Sequence, residues 1–371
     1  MNNSISVKNE EFREFFANFS KVLERAPSEV IKDYHFLYLP ANEIPWRETD
    51  IDIENGEQIT IISQGKVYIM KQFNFFLEPF LQLWFRIGSE GEIFNGPRNT
   101  FTFTTKGQGK LYIGNYLQDW ADKKGKTNSK DERTYKVYKP EGCISILVIK
   151  WNVSPIKGLK KVLSNGDYEY LLHAELEALE HPILRPKDWN YLWSVGECDT
   201  FWECSDSKWE KKICCKAAGQ GAILQKDVEI ELHQKIEIQW SWKIDKLPTD
   251  KAENNFFFHD YLSVAVEFDN GQDITYHWSP ELPIETFYRC PFPTWNKRET
   301  HLVVRSGKEG LGEWFSEKRK LYEDYKMAIG DPPQKIIRVW LIASTFVQKK
   351  EGRIEFANIK IKDMNKTIQI L

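Results

Sequence analysis

The chain is 371 residues long, 41% hydrophobic and 14% aromatic, with a formal net charge of −3. That length holds about two domains of ordinary size, and the apolar fraction suffices for packed cores. The charge lacks the strongly basic footprint of a nucleic-acid-binding protein, and no run approaches the ~18 apolar residues of a membrane-spanning helix.

The N-terminus has no basic segment followed by an apolar one, so no cleaved secretory leader is expected. A cytoplasmic location follows as an expectation, with export by a non-classical route left open. Six cysteines occur, at 143, 198, 204, 214, 215 and 290. None forms a CxxC pair or a His/Cys pattern with zinc spacing. Cys198 and Cys204 alone have short, loop-like spacing, and their disulfide state stays open. Cys214 and Cys215 are strand neighbours that face opposite sides. Reduced thiols are the plain expectation.

Residues 5–32 read as helical. Phe12, Phe15, Phe16, Phe19, Val22 and Leu23 recur at three- and four-residue spacing and form one apolar stripe. That stripe packs on its own protein or serves a partner, the former being favoured. From Tyr38 the pattern changes to short strands broken by turns such as Asn55-Gly56 and Gln64-Gly65. Strands every eight to twelve residues argue for a sandwich or barrel. Residues 152–200 read as a connection, with a turn at Ser164-Asn165-Gly166-Asp167 and a short helix near Glu175 to Glu180.

Strands resume from Trp202. Ile236, Ile238, Trp240, Trp242 and Ile244 alternate with Glu237, Gln239, Ser241, Lys243 and Asp245, so one face is apolar and the other wet. Leu262, Val264, Val266 and Phe268 lead into Asp269-Asn270-Gly271, and Ile274, Tyr276 and Trp278 lead out. Asn-Gly between two alternating runs predicts a hairpin, with residues 261 and 278 near one another. The chain is rich in tryptophan, and filling between sheets is the expected role for about three quarters of these residues.

Two resemblances follow from particular residues. Pro45-Trp46, Thr49, Gly56-Glu57-Gln58-Ile59-Thr60-Ile61, Trp84-Phe85-Arg86-Ile87-Gly88, Phe101-Thr102-Phe103 and Gly109-Lys110-Leu111-Tyr112-Ile113 resemble the galactophilic lectin family that binds galactose through calcium. The resemblance covers roughly residues 44–151. It implies a calcium site, of which Asn115, Asp119 and Asp122 remain. Tyr116 and Lys123 stand where that family supplies oxygen ligands, and calcium wants six to eight of them.

The second half resembles DUF3047, a bacterial family of unknown function, over roughly residues 202–363. The match rests on Lys216-Ala217-Ala218-Gly219-Gln220-Gly221-Ala222, Trp240-Ser241-Trp242-Lys243, Val264-Ala265-Val266-Glu267-Phe268, Tyr276-His277-Trp278-Ser279, Val303-Val304-Arg305-Ser306-Gly307, Glu317-Lys318-Arg319 and Gly330-Asp331-Pro332-Pro333. This resemblance implies a jelly-roll sandwich like those of carbohydrate-binding modules. The family tends to carry paired aspartates where this chain has His259-Asp260, and an Asp-rich strand end where it has Ala343-Ser344-Thr345.

The expected fold is all-β: two tandem antiparallel β-sandwich (jelly-roll-like) domains with an N-terminal amphipathic helix. The segments are a helical stretch over 1–37, a lectin-like sandwich over 38–151, a connection over 152–200 and a second sandwich over 201–371. Glycoside hydrolysis needs two carboxylates flanking a cleft. Glu317 and Asp324, accompanied by Arg319 and Tyr325, are the candidates, and a helix or loop tied to the sandwich by salt bridges is the plainer use for them. His259, Asp260, Tyr276 and His277 are expected to converge across the hairpin, as an acid/base set, a sugar-binding rim or a hydrogen-bonded structural cluster. For sugar recognition, Trp120, Trp295 and Trp314 are the expected loop-borne aromatics, with His277 beside them. The leading function is a non-enzymatic protein that binds carbohydrate or a cell-surface polymer. An assembly protein that binds a protein partner or itself, and a glycan-active enzyme, are the alternatives.

Overall fold

The computed structural model describes residues 9–43, 45–116, 120–127, 139–164, 170–364 and 366–371. The chain divides into two compact units, Met1–Pro182 and Ile183–Leu371.

The first unit opens with helix α1, Glu10–Glu24, capped by Asn9, whose side chain accepts from the Phe12 N–H at 3.1 Å. Glu10 and Glu11 sit in its first turn, where acidic residues suit the helix dipole. The helix is shorter than the predicted 5–32. Pro27 disfavours its continuation, and strand β1, Ile31–Pro40, begins before Tyr38. Most of the apolar stripe packs on its own unit, as the spacing suggests, but Phe16 is left 48% exposed. Phe15, Phe19, Val22 and Leu23 join Leu147, Ile149 and Trp151 in one cluster. Helices α2, Pro155–Leu163, and α3, Tyr170–Glu180, contribute Leu159, Val162 and Leu172 to the same cluster. Much of the predicted connection is therefore core of the first unit.

The strands of this unit are β2 (Trp46–Ile53), β3 (Gln58–Met70), β4 (Phe75–Leu77), β5 (Leu83–Ile87), β6 (Phe94–Asn95), β7 (Thr100–Thr104), β8 (Gly109–Asn115) and β9 (Glu141–Trp151). They form one sheet in the order β1-β9-β3-β4, with β7 on β3, and a second in the order β2-β8-β5-β6. Ile59, Ile61, Ile146 and Val148 from the first sheet meet Leu83, Phe85, Leu111 and Ile113 from the second. This is sheet-on-sheet packing with alternate residues turned inward.

The second unit holds β10 (Asn190–Tyr191), β11 (Phe201–Cys204), β12 (Lys212–Ala218), β13 (Gly221–Glu231), β14 (Ile236–Lys246), β15 (Tyr261–Phe268), β16 (Asp273–Ser279), β17 (Phe287–Arg289), β18 (Glu299–Ser306), β19 (Trp314–Lys320), β20 (Lys335–Ser344), β21 (Glu351–Asp363) and β22 (Lys366–Gln369). Helix α4, Leu321–Ala328, lies between β19 and β20. A seven-stranded sheet runs β10-β13-β20-β15-β16-β18-β17, and a six-stranded sheet runs β11-β12-β21-β14-β19 with β22 on β21. The alternation of β14 holds: Trp240, Trp242 and Ile244 are in the core between the sheets.

The Asn-Gly hairpin also forms. Gly271 takes φ +76°, which glycine adopts without a Cβ penalty. The register pairs Ser263 with His277 and Val266 with Ile274. That is one step from the expected pairing, because the turn is centred on Asn270 alone. Eight of the fourteen tryptophans are buried, fewer than three quarters. Six keep part of their surface at the outside of the sheets or in turns.

Candidate functional site

Both faces of the seven-stranded sheet are covered at its middle, so β15 and β16 are buried at every position. One face holds Val264, Val266, Ile274, Tyr276 and Trp278 and packs in the inter-sheet core. The opposite face carries Tyr261 and Ser263 from β15, Asp273, Thr275, His277 and Ser279 from β16, and Glu299 and His301 from β18. A solvated sheet face would leave such residues wet. Here His259, Asp273, His277, Ser279 and His301 are each 0% exposed, and Glu253 and Glu299 nearly so.

This polar layer depends on an unusual pairing. β16 and β18 run parallel, with Thr275 opposite His301 and Asp273 opposite Glu299. Every other strand pairing in the unit is antiparallel. Residues 253–259 and the stretch from β17 through Phe292 add Glu253, His259, Tyr288 and Cys290. The His259 ring lies 4.8 Å from that of His301, and His277 lies 5.4 Å from His301. Tyr288 stacks on His301 at 4.8 Å and 5° and places its hydroxyl 3.1 Å from His277 Nε2.

Several contacts are well satisfied. Tyr261 donates to Glu299 Oε1 at 2.6 Å, and Ser279 donates to Glu253 Oε2 at 2.5 Å. His259 Nδ1 lies 2.6 Å from the Glu253 carbonyl oxygen, and its Nε2 lies 3.3 Å from Cys290 Sγ. Others are not. Glu253 Oε1, Asp273 Oδ2, Ser263 Oγ, His277 Nδ1 and His301 Nδ1 are buried without a hydrogen-bond partner, and His301 Nε2 has only a 3.4 Å approach to Glu299 Oε1. Each such atom carries a desolvation cost of about 1–3 kcal/mol.

The burial shifts the protonation equilibria. It pulls His259 down to about 3, with His301 adding to the effect. It also pulls His277 well below its ordinary value. Burial pushes Glu253 up to about 8 and raises Asp273, the latter with help from Glu299. Burial acts to raise Glu299 as well, but the imidazoles of His301 and His259 outweigh it and hold that carboxyl below its usual range. Burial also raises the Cys290 thiol. Four groups, His259, Cys290, Glu299 and His301, bring one ligand atom each to within 4.8 Å of one another.

The predicted residues divide. His259 and His277 do share one face, but Tyr276 points to the other and donates to Asp324 Oδ2 at 2.9 Å. One step along a strand reverses the face. Asp260 turns away as well, accepting from the backbone N–H of Val347 at 3.0 Å and Gln348 at 2.7 Å. Burial pushes its carboxyl up to about 7. His277 lies inside the cluster rather than at a surface rim. Glu317 accepts from Trp242 Nε1 at 3.1 Å and from Arg305 Nε at 2.5 Å. Asp324 is gripped by Arg319 at 2.7 and 2.9 Å. Both candidate acids are tied into the sandwich by cations.

Trp120 is not an exposed loop residue. It is 4% exposed, stacked on Trp46 at 5.3 Å and packed against Trp84 and Tyr116. Of the calcium candidates, Asn115 is buried and donates to the Ala41 carbonyl at 2.8 Å. Asp122 Oδ1 accepts from the N–H groups of Lys124 and Lys126, closing a turn. Asp119 lies outside the described residues. Trp295 is partly buried against Trp340, with the Arg298 guanidinium 4.8 Å from its ring.

Trp314 stands on strand β19 rather than in a loop. The register sets Trp202, Cys214, Glu355, Lys243 and Trp314 in one row across β11-β12-β21-β14-β19. Neighbours of these residues along each strand, Phe201, Cys215, Phe356, Trp242 and Phe315, belong to the inter-sheet core or pack against it. The row therefore lies on the outer face of the six-stranded sheet. Trp209 rests against Trp314 at 5.4 Å, and the Lys208 and Lys212 ammonium groups lie 5.7 and 5.8 Å from the Trp314 ring. Cys204 and Cys214 are joined by a disulfide on this face, whereas Cys198 is a free buried thiol. The expectation of reduced thiols is corrected for that pair.

The cluster of His259, Cys290, Glu299 and His301 went unseen in the sequence. Glu299 and His301, two apart on a strand, were its readable signal.

Residues 188–360 match the family described as "Protein of unknown function (DUF3047)". The matched segment contains the whole buried cluster and the outer tryptophan row. No curated protein matches the chain. Among solved structures, a PllA-like lectin, the N-terminal domain of EclA, is 18% identical over 33% of this chain and 99% of its own, with a TM-score of 0.24. The xyloglucanase domain of NopAA, a type three effector from Sinorhizobium fredii, is 8% identical over 48% of this chain and 94% of its own, with a TM-score of 0.29. The tandem CBM22 domains of Paenibacillus barcinonensis Xyn10C are 8% identical over 91% of this chain and 95% of their own, with a TM-score of 0.25.

Proposed function

We propose that this chain is a non-enzymatic binding protein that recognises carbohydrate on the outer face of its six-stranded sheet. The observation that carries this reading is the Trp209–Trp314 pair, two partly buried indoles 5.4 Å apart on the face that also carries Trp202, Lys243 and Glu355. An indole face of this kind stacks on the C–H surface of a sugar ring. Lys243 and Glu355 stand beside it as donor and acceptor for hydroxyl groups, with the buried Lys212 behind them. Glu355 is held between the two lysines, which keeps all three side chains in place. Glu317 and Asp324 are both engaged by arginines, which supports binding rather than glycoside hydrolysis.

The test is a glycan array probed with the intact chain, with and without a chelator. Binding should survive the chelator, because the proposed contact is made by indole faces and side-chain hydrogen bonds rather than through a metal ion. Trp314→Ala and Trp209→Ala should each weaken it about 3- to 10-fold, the scale of one lost aromatic contact. Folded protein that binds no glycan, or binds equally well in both variants, would sink this reading.

A further inference from the structure

We propose that His259, Cys290, Glu299 and His301 form a closed, four-ligand site for a tetrahedral transition-metal ion of the zinc class. The site is separate from the carbohydrate face and does not depend on it. Zinc binds thiolate sulfur at about 2.3 Å and imidazole nitrogen or carboxylate oxygen at about 2.0–2.2 Å, which places neighbouring ligand atoms about 3.3–3.8 Å apart in a tetrahedron. Two edges of that figure are already present. His259 Nε2 lies 3.3 Å from Cys290 Sγ, and His301 Nε2 lies 3.4 Å from Glu299 Oε1. All four ligand atoms fall within 4.8 Å of one another, so small side-chain shifts close the rest.

The surroundings orient these ligands. An Nδ1–H on His259 donates to the Glu253 carbonyl at 2.6 Å, which leaves the Nε2 lone pair for the ion. Tyr261 holds Glu299 through a 2.6 Å hydrogen bond, and Tyr288 stacks on the His301 ring. His301 is fully buried, its Nδ1 has no hydrogen-bond partner, and its Nε2 faces only Glu299 Oε1 at 3.4 Å. A metal ion between Nε2 and that carboxylate gives both a strong partner. It also balances charge: a thiolate and a carboxylate together neutralise a divalent cation, and Cys290 releases its proton on binding. The thiolate and two imidazoles select against calcium and magnesium, which want oxygen. Four buried protein ligands fit a structural ion rather than a catalytic one.

The test begins with the full chain refolded in the presence of zinc, dialysed and analysed for metal. About one zinc per chain is expected, and cobalt in its place should give cysteinate-to-metal charge transfer with tetrahedral visible bands. Cys290→Ser should abolish the charge-transfer band and lower zinc content at least about tenfold, whereas Cys198→Ser, a buried thiol outside the cluster, should change neither. If Cys290→Ser fails to fold, the cobalt spectrum of the wild-type chain decides. Folded wild type without zinc overturns the assignment. So does a cobalt spectrum lacking thiolate character, or zinc retained in full by Cys290→Ser.

Discussion

His259 Nδ1 meets the Glu253 carbonyl oxygen at 2.6 Å, and this one contact fixes which edge of the imidazole enters the buried cluster. The ring is 0% exposed and sits against His301, Tyr261 and Phe292. His259→Ala removes that packing and leaves a buried carbonyl without its donor. The loss should be about 2–4 kcal/mol of unfolding free energy. Urea unfolding of the variant checks this. A change below about 0.5 kcal/mol, the scale of an ordinary surface substitution, would show that the ring is not embedded as described.

Strand β3 tests the first unit in the same way. Gly65 has φ +135°, and a Cβ there would stand 2.2 Å from the Cys143 carbonyl oxygen on β9. Ala combines that collision with a backbone conformation that side chains avoid, so Gly65→Ala should cost at least about 1–3 kcal/mol. Gly56→Ala is the control. Its φ is +85°, but nothing lies within 4 Å of the new Cβ. Gly56→Ala should therefore be the milder of the two in thermal unfolding, and equal losses would remove the steric part of this account.

Much of the fold was legible because its signals are local. The alternation of Ile236 to Ile244 gave a strand and its faces, and Asn270-Gly271 gave a hairpin. The site was less legible because it depends on distant pairing. His277 reaches His301 only through the parallel β16–β18 contact, which no turn or spacing announces. Cys290 reaches His259 across 31 positions. Trp120 misled because charged neighbours suggest solvent, whereas tertiary packing against Trp46, Trp84 and Tyr116 decides its burial. The Trp46 indole even reaches through this region, donating to the Gly125 carbonyl at 2.8 Å.

Trp120 and Trp314, two of the three tryptophans expected in loops, should therefore behave oppositely. Trp120→Ala empties a buried aromatic cluster and should cost about 3–5 kcal/mol. Trp314→Ala, on a partly open sheet face, should cost about 1 kcal/mol or less. Chemical denaturation of both variants separates them, and the reverse order would overturn the burial assigned here.

Asp206 positions Trp209, so acid should act on that face. Its carboxylate accepts from Lys212 at 2.7 Å and from the N–H groups of Trp209 and Lys208 at 2.8 and 2.9 Å. The Lys212 hydrogen bond, then that of Trp209, pulls the group from 3.8 down to about 2. A depressed carboxyl contributes stability that is present in full above its ordinary value and is lost as pH falls through the folded value. Wild type should thus hold an advantage over Asp206→Ala above pH 3.8 that fades toward pH 2. Paired acid titrations followed by tryptophan fluorescence read it, and an advantage that grows on acidification would refute the assignment.

The thiols give a final measurement. Cys204 and Cys214 are bonded across β11 and β12, while Cys143, Cys198, Cys215 and Cys290 are free and buried. Burial pushes the Cys198 thiol up to about 12 and raises Cys215 as well, so neither presents much thiolate near neutral pH. Native protein treated with an alkylating reagent should take up no label. Reduction under native conditions should add label at Cys204 and Cys214 alone, located by peptide mass spectrometry. The bond closes a loop with a sequence separation of 10, so its loss should cost about 2–3 kcal/mol on the chain-entropy account. Label on Cys198 before Cys204 would mean that the two cysteines exchange roles, and that the edge of the six-stranded sheet is joined differently.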